Sequence, residues 1–116
     1  MTGVEKAKMR AMKKGILLAA LLAVGAPALA ADVAAGQKLA AEVCAACHGP
    51  DGNSPNPQFP IIAGQHKDYL QHSLEGYKTG KRQNAIMQGF AANLSAQDIA
   101  NLAAYFSQQQ GLVTKY

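Results

Sequence analysis

Apolar residues recur along this chain at three- and four-residue steps in three separate stretches, and strand-like alternation is nowhere convincing. The first stretch, DVAAGQKLAAEVCAAC, predicts a helix over 32–47. Asp32 suits an N-cap, Gln37 to Ala46 are mostly strong helix formers, and Gly36, Leu39, Ala40 and Val43 share one face. The second, KDYLQHSLEGY, predicts a helix over 67–77 with Leu70, Leu74 and Tyr77 on one side and Gly80 just beyond its end. The third, LSAQDIANLAAYFSQQQG, has Ser95 and Asp98 placed as a variant capping box, Ile99, Leu102, Ala103 and Phe106 at helical spacing, and Gly111 as its stop. Between the first two lies HGPDGNSPNPQFPIIAGQ, whose Pro, Gly and Asn content predicts loop; a stretch that long without structure is usually functional. Between the second and third sits NAIMQGFAAN, a short apolar segment centred on Met87. The pattern predicts an all-α domain with a long loop and no internal repeat.

The N-terminal stretch reads differently. Lys6, Lys8, Arg10, Lys13 and Lys14 precede an apolar run from Ile16 to Val24, then Pro27 and Ala28-Leu29-Ala30. Basic, apolar and small residues in that order predict a secretory signal peptide over 1–30, cleaved between Ala30 and Ala31. The uncharged run from Gly15 to Ala31 is short for a bilayer-spanning helix and contains Pro27, so an uncleaved anchor is the weaker alternative. Met9 and Met12 are alternative starts.

Charge looks different once the leader is set aside. The whole chain carries +4, but the leader holds five of the eleven Lys and Arg and only Glu5 of the acids. In residues 31–116, Lys38, Lys67, Lys78, Lys81, Arg82 and Lys115 are matched by six acidic side chains. The positive balance therefore gives no reason to expect a nucleic-acid partner. The one remaining basic cluster, Lys78-x-x-Lys81-Arg82, reads as a solvated turn. Residues 31–116 form one small domain with no tryptophan and many alanines. Such a chain is near the lower limit for a self-sufficient core. It would gain from a large apolar body that it does not encode.

Cys44-Ala-Ala-Cys47-His48 holds the only two cysteines. A thioredoxin-like redox pair would want a βαβ scaffold, and no strands are evident. A zinc site would need a fourth ligand, His66 or His72, and adjacent Cys47 and His48 side chains diverge on a helix, which is awkward for one tetrahedron. A disulfide would close a very small loop, where crosslinking gains least. The fourth reading, covalent haem, fits best: Cys-x-x-Cys-His is the c-type attachment signature. It accounts for the adjacent histidine, for the export signal, and for the missing apolar bulk. The second axial position of such an iron is open to Met87, the only methionine after the leader, or to His66 or His72; as plain sequence, Met87 also reads as core filler.

CAACHGPDGNSP, FPIIAGQ, NAIMQGFAANLS and DIANLAAYF together resemble the class I c-type cytochromes, both small monohaem periplasmic members and one half of the dihaem kind, over residues 32–110. The resemblance implies a cytochrome c fold, three main helices and long loops around one haem c. It implies thioether bonds on Cys44 and Cys47, His48 as proximal and Met87 as distal iron ligand, and the Pro60 carbonyl as acceptor for the other N–H of His48. Gly36 and Ala40 match the small face of the first helix, and Leu102 and Tyr105 the face of the last helix that crosses it. The implied function is a periplasmic one-electron carrier, not an enzyme: a monomer, free of the membrane after cleavage, docking transiently with redox proteins at the haem edge. Two other roles remain open here: a haem module permanently docked to a redox enzyme, and a sensor or peroxidase with a labile sixth ligand.

Overall fold

The computed structural model describes Gly25 and residues 29–111 of the chain. Apart from Gly25, Leu29 and Ala30, the leader expected over 1–30 lies outside the described residues. The described part is helical, without strands.

Asp32 starts helix α1 (Val33–Leu39): its carboxylate accepts the Ala35 N–H at 3.0 Å. The predicted single helix over 32–47 is in fact three segments. After α1 the chain widens into a π-helical turn, Ala40–Cys44, and then forms α2 (Ala45–His48), which ends at Gly49. A π turn holds more residues than an α turn and shifts the angular phase of the residues after it. Here it lets α1 turn its small face to the core while Cys44, Cys47 and His48 border a cavity.

Helix α3 (Lys67–Thr79) runs slightly past its predicted end and closes at Gly80 in the left-handed conformation. The segment around Met87 is a helix, α4 (Ala85–Ala91), where the sequence predicts only a short apolar stretch. Asn84 caps it, its side-chain oxygen accepting the Met87 N–H at 3.0 Å. Helix α5 (Ala96–Ser107) begins with a complete capping box: Ser95 Oγ accepts the Asp98 N–H at 3.0 Å, and Asp98 Oδ2 accepts the Ser95 N–H at 2.9 Å. It stops at Ser107, short of the predicted Gln110.

Helix α5 is the spine of the domain; Ile99 and Leu102 are its largest fully buried side chains. Helix α1 crosses it at Gly36, where a Cβ would lie 2.2 Å from the Asn101 carbonyl oxygen. Only glycine permits that approach. Asn101 is buried beside this crossing, and its side-chain oxygen accepts both the Asp32 N–H and the Gln97 side-chain amide, each at 2.8 Å. The long loop is tied down at several points. The Gly52 carbonyl accepts the Ile62 and Ala63 N–H groups at 2.9 and 3.1 Å, Gly64 N–H donates to the Phe106 carbonyl at 2.9 Å, and the Tyr105 hydroxyl donates to the Pro50 carbonyl at 2.9 Å. Gly52 has φ 85°, and a Cβ there would meet the Ala63 nitrogen at 2.8 Å. The loop is thereby a fixed wall of the site.

Candidate functional site

A cavity of about 370 Å³ lies between the long loop and helices α2, α3, α4 and α5. Its lining brings together Cys44, Cys47, His48, Pro60 and Met87 from separate stretches of chain. His66 and His72, the rival ligands by sequence, are exposed and line no part of it. Among the described residues no three His, Cys, Asp or Glu side chains converge as a metal cluster.

His48 ends α2 and is buried. Its Nδ1 lies 2.9 Å from the Pro60 carbonyl oxygen. A carbonyl only accepts, so Nδ1 carries the hydrogen and donates it, and Nε2 of the neutral ring keeps its lone pair. A ring held by such a partner is fixed in orientation as well as tautomer. Ser54 locks the turn next to it, its hydroxyl donating to the Cys47 carbonyl at 3.0 Å.

Cys44 and Cys47 are half-buried and not joined to each other. Burial pushes the Cys44 thiol up to about 11, so it stays protonated at neutral pH. A dithiol redox pair needs the opposite, a thiol held low enough to give a thiolate nucleophile. Cys44 instead packs against the apolar core that Leu102 and Phe106 anchor.

Met87 sits in the first turn of α4, its backbone N–H held by Asn84, and its side chain is half-buried at the cavity wall. Phe90 and Ala91 of the same helix, with Leu102 and Ala103 of α5, make much of the remaining wall apolar. A neutral imidazole nitrogen and a soft thioether, with two thiols on a wall of hydrocarbon, are a donor set suited to a flat apolar group carrying a borderline-soft metal. The residues present fit a haem.

One part of the wall goes beyond the sequence expectation. Tyr69, Ser73 and Tyr77 form a stripe along α3, and Arg82 folds back over it from beyond Gly80. The Arg82 guanidinium lies 4.9 Å from the Tyr77 ring centre and 5.8 Å from that of Tyr69. Arg82 is exposed in the solvated turn that the sequence predicts, and from there it also lines the cavity mouth; the i, i+4, i+8 spacing of Tyr69, Ser73 and Tyr77 is the available signal for that second placement. Lys78, from the same basic cluster, donates to the Leu94 carbonyl.

Comparison with known proteins agrees with this geometry. A family model described as cytochrome c matches residues 33–110. Cytochrome c4 of Pseudomonas aeruginosa is 50% identical over 98 residues, covering 82% of this chain and 48% of that protein. Cytochrome c-554(548) of Halomonas halodenitrificans is 42% identical over 84 residues, covering 70% of this chain and 100% of that protein. The crystal structure of reduced recombinant cytochrome c4 from Pseudomonas stutzeri superposes with a TM-score of 0.66 at 46% identity, covering 72% of this chain and 48% of that one. The chain spans about half the length of the cytochrome c4 relatives it matches. No helix among the described residues is long and apolar enough to cross a membrane.

Proposed function

This chain belongs to the cytochrome c family, with one covalently bound haem c as its cofactor, and on that premise we propose that it is a one-electron carrier whose iron is held between His48 and Met87. The bound haem supplies an iron that changes oxidation state by one electron. The chain sets how easily that happens. Cys44 and Cys47 would hold the group by thioether bonds at the end of the π turn. His48, oriented by the Pro60 carbonyl, would offer Nε2 to the metal. Met87 would offer its thioether sulfur, a soft donor that favours the lower oxidation state and raises the potential. The apolar walls from Phe90, Leu102 and Phe106 act in the same direction, because an added positive charge is poorly solvated among hydrocarbon. With His48 and Met87 both serving as ligands, no coordination site would be left for a substrate, which suits transfer of electrons and not turnover of a bound molecule.

The observation that carries this reading is the convergence of Cys44, Cys47, His48 and Met87 on one cavity, with the His48 tautomer fixed by Pro60. We further propose export of the chain, cleavage after Ala30, and a domain of residues 31–116 working outside the cytoplasm, where basic, apolar and Ala-x-Ala elements would direct it. Partners would be redox proteins meeting the monomer through small, short-lived contacts. A second reading keeps the same site and changes the assembly. A relative named thiosulfate dehydrogenase electron acceptor, from Thiomonas intermedia, is 41% identical over 66 residues, which supports a module serving one dedicated redox enzyme.

The oxidised absorption spectrum tests the ligand pair. Wild-type protein is expected to show the weak far-red band of sulfur-to-iron charge transfer, and Met87→Ala to lose it while keeping the haem. A wild-type spectrum without that band contradicts ligation by Met87. Survival of the band in Met87→Ala would do the same. Co-purification with a large partner through high salt would favour the dedicated module over the free carrier.

A further inference from the structure

The haem reading accounts for the thiols, the imidazole and the thioether, but not for Arg82. Among the described residues lining the cavity, Arg82 is the only one with a permanent charge and none is a carboxylate. A haem is apolar over most of its surface and carries two carboxylates. One edge of the cavity must therefore meet negative charge.

Arg82 is held in place by neutral groups alone. Its Nη1 donates to Ser73 Oγ at 2.8 Å and to the Tyr69 hydroxyl at 3.3 Å, and its plane lies near the two tyrosine rings. Its backbone N–H donates to the Gly76 carbonyl at 3.0 Å, and a Cβ on Gly76 would press on the Arg82 Cβ at 3.2 Å. The side chains that act on its ionisation are Tyr69 and Tyr77, and neither is a carboxylate. Both hydrogen bonds use Nη1, and among the described residues no acceptor takes Nη2 or Nε. A guanidinium is a planar fork that pairs best with a carboxylate, by two parallel bonds. This one is oriented by hydroxyls and aromatic faces, and its charge is left uncompensated by the protein.

We infer that Arg82, clamped by Tyr69, Ser73 and Tyr77, is the positioning residue for the carboxylates of the haem. The inference rests on the haem reading above and adds to it a residue, a charge and a direction of effect. Arg82 fixes which way round the group sits in the cavity and offsets its negative charge. A cation there also disfavours the extra positive charge of the oxidised centre, so Arg82 raises the potential. An acidic partner protein docking on Arg82 is the competing source of a carboxylate. The cavity-lining position, and a clamp complete without any partner, favour the haem.

The test compares Arg82→Gln and Arg82→Lys with wild-type holoprotein. At a fixed ambient potential where wild type is half reduced, Arg82→Gln is expected to shift roughly threefold or more toward the oxidised form. Arg82→Lys, which keeps the charge, is expected to recover most of that shift. A role limited to bracing α3 would lower the melting temperature of both variants and leave the potential alone. A measurement on wild type needs no variant to fold: with the haem carboxyl carbons labelled, a through-space NMR contact to the Arg82 side chain is expected, and its absence overturns the inference. An unchanged potential in haem-loaded Arg82→Gln overturns it as well, including the case where only the exchange rate with a partner falls. Both results leave the haem reading standing. Loss of colour from denatured wild type would instead overturn the haem reading itself.

Discussion

The two sides of helix α5 are built on different plans. On one side α1 crosses it through Gly36 and Ala40, and the contact is closed by the protein's own atoms: a glycine against a carbonyl oxygen, a buried Asn101 bonded to Asp32 and Gln97, and Tyr105 tied to Pro50. On the other side α3 reaches α5 through Leu70, and beside that contact the side chains of α3, α4 and α5 line the cavity. The first side is a conventional core. The second closes around the cofactor. A chain with few large apolar side chains can fold this way because it concentrates its own close packing where two small faces meet. The bulk of the other half comes from a group it only has to grip.

This contrast can be broken at either end. The largest effect is expected from Cys44→Ala combined with Cys47→Ala, which removes the attachment points. The cavity half should lose its order and the protein its cooperative thermal transition, followed by circular dichroism; an unchanged melt would mean that the fold does not depend on the group. Gly36→Val attacks the other half. Its side chain would be driven into the Asn101 carbonyl, at a cost of about 3 kcal/mol of stability by denaturant titration. The potential of whatever fraction folds should stay at the wild-type value. Asn101→Leu leaves the Asp32 N–H without its buried acceptor and is expected to cost about 2 kcal/mol. Ser95→Ala removes half of the capping box and is expected to cost about 1 kcal/mol, with spectrum and potential unaltered. Crossing variants that moved the potential, or a Met87→Ala that moved only stability, would erase the distinction between the two halves.

Much of this is legible in the sequence, for local reasons. Asp32, Ser95, Asp98 and Gly80 act within a turn of where they stand, and each caps or closes the helix that its position predicts. The periodicity of Ile99, Leu102 and Phe106 marks the spine, and Cys44-x-x-Cys47-His48 marks one wall of the site. The hidden features depend on tertiary contacts. The π turn at Ala40–Cys44 is a change of phase, which helix propensities do not register because Ala and Glu suit both forms. Helix α4 is too short to declare itself by periodicity and interrupts its apolar run with Gly89; its Asn84 cap is the one local clue. Helix α5 ends early although Gln108 to Gln110 are good helix formers. The Phe106 carbonyl there is shared by Gly64 N–H, from the long loop, and Gln109 N–H. Arg82 reads as part of a solvated cluster because its partners Tyr69, Ser73 and Tyr77 lie across the Gly80 turn.

The central claim is that one haem is bonded to the chain through Cys44 and Cys47. Acid acetone, which extracts haem held only by ligation and packing, tests it directly. The red colour is expected to remain with the precipitated polypeptide, and the mass of that polypeptide to exceed the sum of its residues by one haem. Colour that leaves with the solvent, and a polypeptide at its bare mass, would contradict the account.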